Sequence, residues 1–143
     1  FKLITKRAVT THNSWTHNIP RMIAKGRDTN YAYLHPTDMS ALDVKEYDYL
    51  DISTEAATIR IQVKMLDTLM PKTVAVPHGW GHQHARGLSV ANKTQGVNVN
   101  LLAKDGPENI DQVSGMVHLT GIPVTVRKSK DTYQPTWSGI NDE

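Results

Sequence analysis

The sequence contains no cysteine. That excludes disulfides, thiolate-held zinc, iron–sulfur ligation and a cysteine nucleophile within the chain. It does not fix the compartment, because disulfide-free proteins occur in all of them. No apolar run approaches the length of a membrane span. There is no large charge excess either: 16 basic against 14 acidic residues leave a net charge of +2, which is not the footprint of a nucleic-acid binder or a membrane-surface protein. The one short basic cluster, "RKSK" at 127–130, reads as a solvated end. An initiator methionine and a signal-peptide pattern are also missing. The chain opens on "FKLITKR", already strand-like, and is expected to be a piece of something longer or a processed chain. No internal repeat, low-complexity tract or "GxSxG" nucleophile elbow is present.

At 143 residues one domain is the default, and roughly two-thirds of the unfolded surface can be buried in a chain of this size. Alternation of apolar and polar residues, with turn signals between, predicts strands in "FKLIT", "EYDYLDIST", "AATIRIQVKM", "TVAVP", "GVNVNLLA" and "IPVTVRK". "STEA" is short enough for a hairpin, and Ile59, Ile61 and Val63 form an inner face. "DMSALDV" supplies about two helical turns, capped by Thr37 or Asp38. The sum is a mainly β chain, a small barrel or sandwich with one or two short helices. Residues 1–130 are expected to form it, and residues 131–143 a polar C-terminal tail.

Two knots stand out, "THNSWTHN" at 11–18 and "PHGWGHQH" at 77–84, which hold five of the seven histidines and two of the three tryptophans. Metal binding is the first reading to test. Gly79 and Gly81 make a helix across "HGWGH" unfavourable, so His78 and His82 need not share a face. "HQH" would put two imidazoles on one side of a strand, and it resembles the cupin pattern. A cupin has a carboxylate a few residues on, and "ARGLSVANKTQG" has none. No metal ligand is therefore assigned. Hydrolytic catalysis fares no better, since neither knot holds a carboxylate to orient an imidazole, and no catalytic residue is assigned. Plain surface loops, with histidines packed on tryptophans, remain a reading. Against it stands the density of neutral donors and acceptors, joined by Asn98 and Asn100 alternating on "GVNVN". Such groups hydrogen-bond without bringing charge, and glycines permit close backbone approach, which suits a large polar ligand such as a pterin with phosphates.

"RAVTTHNSWTHNIPRM", "LHPTDMSALDV", "LMPKTVAVPHGWGHQ", "GVNVNLL" and "DQVSGM" occur in this order, and together they resemble the C-terminal domain of the molybdopterin oxidoreductases, the family of dimethyl sulfoxide reductase and formate dehydrogenase. The resemblance runs from about residue 3 to about residue 127. It implies a double-psi β-barrel of the aspartate-decarboxylase-like type. It also implies a role in closing over a molybdenum or tungsten bis-molybdopterin guanine dinucleotide inside a larger enzyme. The metal's protein ligand, the iron–sulfur cluster and most of the substrate funnel would then belong to N-terminal and central domains, with electron-transfer subunits as further partners. The isolated domain is expected neither to turn over substrate nor to hold cofactor tightly. Carried over by position, the resemblance points to Thr5, Lys6 and Arg7 as phosphate- or dithiolene-side contacts. It points equally to His12, Asn13, Ser14, Trp15, His17 and Asn18, to His78, Gly79, Trp80 and His82, and to Asn98 and Asn100 as readers of pterin edges. His35 and Pro36 in "HPTD" are expected to be structural. The runner-up is a stand-alone barrel acting as a small-ligand or protein-interaction module.

The departures from the family pattern cluster in the outer hairpins. Asp43, Tyr47 and Lys72 stand where the family favours glycine, and so does Ala57. These bear on turn geometry and little on ligand contact.

Overall fold

The period-2 stretch "TIRIQVKM" makes the wall on which the rest is built. In the computed structural model, which describes residues 1–131 apart from 10 and 24–26, it is β4 (Thr58–Met65). Ile59, Ile61 and Val63 are buried while their neighbours face out, as a pleated strand with one dry face demands. The tight "STEA" turn returns it antiparallel to β3 (Tyr49–Ser53), with Leu50 opposite Ile61 and Ile52 opposite Ile59. β1 (Lys2–Lys6), β2 (Ala32–Leu34) and β5 (Thr73–Pro77) complete the central strands. β6 (Ile122–Pro123) and β7 (Thr125–Lys128) end the sheet.

The strand order is β6-β1-β5-β2-β4-β3-β7. β1 with β5 and β2 with β4 are parallel, whereas β2 with β5 is antiparallel. The two edge strands, β6 and β7, are separated in sequence by Val124 alone, so the two edges meet and the sheet is a nearly closed barrel. Val124 reinforces the seam by exchanging backbone hydrogen bonds with Phe1 in both directions, at 2.9 and 3.0 Å. The interior holds Leu3, Leu34, Leu50, Ile52, Val74 and Val76 beside the β4 residues. Each such side chain contributes about 1.5–3 kcal/mol on burial. Val99 and Leu102 join this core from a 3₁₀ turn, Val99–Leu102.

Several local expectations are corrected. "GVNVN" is not a strand: its backbone turns into the 3₁₀ segment at Val99 because Asn98 Oδ1 accepts the Asn100 N–H at 3.1 Å. "IPVTVRK" is two strands at opposite edges, not one. β2 has no counterpart among the expected strands. The helix is shorter than expected, α1 (Pro36–Ala41), and its cap is His35 rather than Thr37 or Asp38. The imidazole Nδ1 of His35 accepts the Thr37 N–H at 3.2 Å, and Pro36 follows at the first turn. "HQH" likewise lies in turns, not on a strand. The tail expected at 131–143 lies, beyond residue 131, outside the described residues.

Three of the four glycine departures explain themselves. Asp43, Tyr47 and Lys72 all adopt positive φ, at 52°, 70° and 62°, so the turns keep their left-handed geometry with side chains that favour it less than glycine. Ala57 has no positive φ. At Lys72 the strained turn is held by the buried Asp38, whose Oδ2 accepts the Lys72 backbone N–H at 2.7 Å. The aspartate of "HPTD" therefore ties α1 to the turn before β5.

Candidate functional site

Because β1 and β5 are parallel neighbours, their C-terminal ends leave the barrel side by side. Lys6 pairs with Pro77, and the His78 N–H donates to the Lys6 carbonyl at 3.1 Å. The loop after β1 carries the first histidine knot and the loop after β5 carries the second, so strand register alone brings the two together. Side chains then lock them. His78 Nε2 donates to Asn13 Oδ1 at 3.0 Å. Asn18 Oδ1 accepts the N–H groups of Val90 and Ala91 at 3.0 and 3.2 Å. The imidazole of His17 packs on the indole of Trp80 with centroids 4.1 Å apart, and His82 stands edge-on to His17 at 5.2 Å.

Glycine makes these contacts possible. Gly79 has φ 90°, and a Cβ there would lie 2.3 Å from the Asn13 carbonyl oxygen. Gly81 has φ 100°, and a Cβ there would lie 2.6 Å from the Asn98 Cβ. Gly79 thus lets the two knots touch, and Gly81 brings the Asn98–Asn100 segment against the second knot. The structure gives these glycines a packing role between loops, where the sequence suggested ligand approach.

The site residues divide by exposure. His12, Asn13, Trp15, Asn18 and Asn100 are exposed, and His78 and His82 are half-buried. His17 and Trp80 are buried beneath them, at 0% and 5% exposure. Neither nitrogen of His17, nor Nε1 of Trp80, has a hydrogen-bond partner among the described residues. Burial first, and the His82 charge second, lower the His17 pKa to about 4. Asn98 and Asn100 do not share a strand face; Asn98 spends its oxygen on the Asn100 backbone. Thr5 is half-buried at the end of β1 and Arg7 is exposed just beyond it. The Lys6 ammonium lies 4.5 Å from the Tyr33 ring. Tyr33 alternates with the inward-facing Ala32 and Leu34, so Lys6 leans on the barrel's outer wall rather than over the knots.

Sequence reasoning missed Asn30. Its buried amide donates to the Pro77 and Val97 carbonyls at 2.9 and 3.0 Å and accepts the Val97 N–H at 2.9 Å, bracing the loops from below. Gln83, which donates to the Gly96 carbonyl at 2.6 Å, stands out in the sequence only as part of a polar cluster. The signal for Asn30 is faint, a lone asparagine shortly before the buried "AYL".

The two knots, residues 11–18 and 77–84, hold neither a carboxylate nor a Lys or Arg, and Arg7 stands exposed where β1 runs into the first of them. Among the described residues no cluster of three His, Asp or Glu is arranged to hold a metal ion. No helix there is long and apolar enough to cross a membrane. The arrangement suits a polar ligand bearing hydrogen-bonding rings. Amides and imidazoles are presented outward with no carboxylate in either knot, and three buried ring nitrogens have no partner among the described residues.

Comparison with known proteins agrees with this chemistry. The chain is 28% identical to a tetrathionate reductase subunit from Salmonella typhimurium over 89% of its own length and 14% of that protein's. Its fold superimposes on acetylene hydratase from Pelobacter acetylenicus with a TM-score of 0.71 at 19% identity, covering 90% of this chain and 18% of that one. The chain therefore spans less than a fifth of either relative. Residues 1–121, which include both knots, the Asn98–Asn100 segment and the strands that converge on them, match the family described as molydopterin dinucleotide binding domain, and the chain belongs to that family.

Proposed function

We propose that the loops following β1 and β5 form the face through which this chain contacts a bis-molybdopterin guanine dinucleotide, with molybdenum or tungsten, in a larger oxidoreductase. The observation that carries this reading is the convergence of three carboxylate-free segments on Asn13, His78 and Asn98. The cofactor, when bound, would supply the redox-active metal and its dithiolene ligands. The residues here would bind and orient it. Thr5 and Arg7 at the end of β1 suit phosphate oxygens. Asn13, His78 and Asn100, with His12, Ser14 and Asn18, suit pterin ring edges, since each offers neutral donors or acceptors. Trp15 offers an exposed aromatic face. His17, Trp80 and His82 form the floor, which orients the groups above. The metal's protein ligand, any iron–sulfur cluster and the substrate path would lie in other domains, and electron-transfer subunits would be further partners.

The test is cofactor content in the full-length enzyme carrying Asn100→Ala. Asn100 is exposed and outside the core, so losing hydrogen bonds to the ligand, about 1–3 kcal/mol per unpaired partner, should lower bound metal and releasable guanine nucleotide while thermal stability holds. Unchanged cofactor content in Asn100→Ala, Asn13→Ala and His78→Ala alike would sink the reading.

A further inference from the structure

The outer wall of the barrel carries a cavity of about 250 Å³ that shares no residue with the proposed cofactor face. Strand register places it. Tyr49 on β3 pairs with Gln62 on β4, and both alternate with the buried Leu50, Ile61 and Val63, so they stand outside the core. Tyr31 precedes Ala32, the partner of Val63, and joins them from the β2 side. Asp28 and Thr29 close one edge, where the Asp28 carbonyl accepts the Gln95 N–H at 2.8 Å. Asn30 also lines the cavity, but its amide is spent on Pro77 and Val97.

What the cavity offers is mostly acceptors. Gln62 Nε2 donates to the Tyr47 carbonyl at 3.1 Å and Gln95 Nε2 to the Lys93 carbonyl at 3.4 Å, so each amide keeps its oxygen for another donor. The Thr29 hydroxyl donates to the Asn30 carbonyl at 3.2 Å and retains its lone pairs. The half-buried Asp28 carboxylate has no ion-pair partner among the described residues. A carboxylate half out of water, with amide and hydroxyl oxygens around it, is complementary to a cation that brings several donors. A single carboxylate is too few for a calcium-type ion, whereas the tyrosine rings favour an organic cation. The Lys64 ammonium already lies 4.1 Å from the Tyr31 ring centroid and 5.3 Å from that of Tyr47, so a second charge on the ligand would meet repulsion.

We propose that this cavity is a second ligand site, which binds a small organic monocation of the guanidinium class through Asp28, Gln62 and Gln95, with Tyr31 and Tyr49 beside its plane. A guanidinium presents several N–H donors in a fixed fork and stacks on aromatic rings. The cavity is smaller than the roughly 300–1,000 Å³ of sites for drug-sized ligands, which suits a short alkylguanidine. The site is independent of the cofactor reading.

The test is isothermal titration calorimetry of the full-length enzyme at constant ionic strength, with ethylguanidinium chloride, N-ethylurea and calcium chloride as probes. Ethylguanidinium should bind saturably. N-ethylurea, similar in shape but uncharged, should bind roughly tenfold or more weakly. Asp28→Asn keeps the shape and removes the charge, and should lose ethylguanidinium affinity by a similar factor while the melting temperature holds. Absence of saturable binding, equal affinity for the urea, or equal affinity in Asp28→Asn overturns the proposal. Displacement of ethylguanidinium by calcium at comparable concentration assigns the cavity to a hard metal ion and overturns it too. The urea comparison needs only the wild-type enzyme, so the proposal stays falsifiable should Asp28→Asn not fold.

Discussion

His17 and Trp80 are packed ring on ring, 4.1 Å between centroids and tilted by 39°, buried beneath the exposed side chains of the two knots. The pair joins two loops whose only covalent connection runs through more than sixty residues. Its weakness is protonation. In the folded chain burial and the neighbouring His82 depress the His17 pKa to about 4 from an ordinary 6.5. The unfolded chain therefore binds the proton first as pH falls. The pair's full stability is present above about pH 6.5, declines between 6.5 and 4, and changes no further below that. The loss is on the order of 3 kcal/mol at most. Urea denaturation at about pH 7.5, 6, 5 and 4 should show this decline in the wild type and a shallower one in His17→Phe. Equal slopes would remove His17 as the acid-sensitive group.

Asp43→Gly should stabilise the chain. Asp43 sits just past the end of α1 at φ 52°. Its N–H donates to the Ser40 carbonyl and that of Val44 to the Met39 carbonyl, at 3.1 and 3.0 Å, the Schellman arrangement in which glycine is the favoured residue. Its side chain meets Lys128 only at 3.7 Å and in full exposure, which contributes little. Relief of the left-handed strain outweighs that contact, and a gain of about 0.5–1 kcal/mol is expected from the denaturation midpoint. Tyr47→Gly should gain less or lose stability, because the Tyr47 ring packs edge-on against Tyr31 at 6.0 Å and lies 5.3 Å from the Lys64 ammonium.

Asp38→Ala should destabilise by about 1–3 kcal/mol, the cost of a buried N–H left without its acceptor. Asp38→Asn should cost less, since an amide oxygen can still accept from the Lys72 backbone. The Lys72 ammonium, 3.7 Å away and largely exposed, adds little to either variant, so the ordering of the two should hold at high salt.

The parts of this fold legible in the sequence are those where one residue's neighbours decide its conformation. "TIRIQVKM" can only sit with Ile59, Ile61 and Val63 on the dry side, and Asp43, Tyr47 and Lys72 mark turns because the turn geometry outlasts the glycine. β2 was hidden because three residues carry too little period, and "HPTD" directly after them signals a helix. "GVNVN" alternates as a strand does, yet its Asn98 side chain diverts the backbone, and a side-chain cap competing with a ladder is invisible to periodicity. The site was legible as residue types and only partly as geometry. That His12–Asn18 and His78–His82 would adjoin follows from parallel β1 and β5, a pairing of residues about seventy apart. That Gly79 faces Asn13 rather than a ligand depends on the final packing.

The closeness of that packing can be measured. Gly79 and Gly87 both lie at positive φ, 90° and 79°, so alanine at either position meets a left-handed penalty of roughly 1–2 kcal/mol. They differ in surroundings. A Cβ at Gly87 meets nothing within 4 Å, whereas one at Gly79 lies 2.3 Å from the Asn13 carbonyl oxygen and 2.7 Å from its carbon. Backbone atoms cannot rotate aside as a side-chain tip can. Gly79→Ala must therefore push the first knot away from the second and stretch the His78–Asn13 hydrogen bond, adding about 1–3 kcal/mol of overpacking to the shared conformational term. Gly87→Ala should show the conformational term alone. The difference between the two denaturation free energies isolates the cost of separating the loops. A difference near zero would mean that the knots yield to an added methyl, and the preformed face built on Asn13, His78 and Asn98 would have to be abandoned.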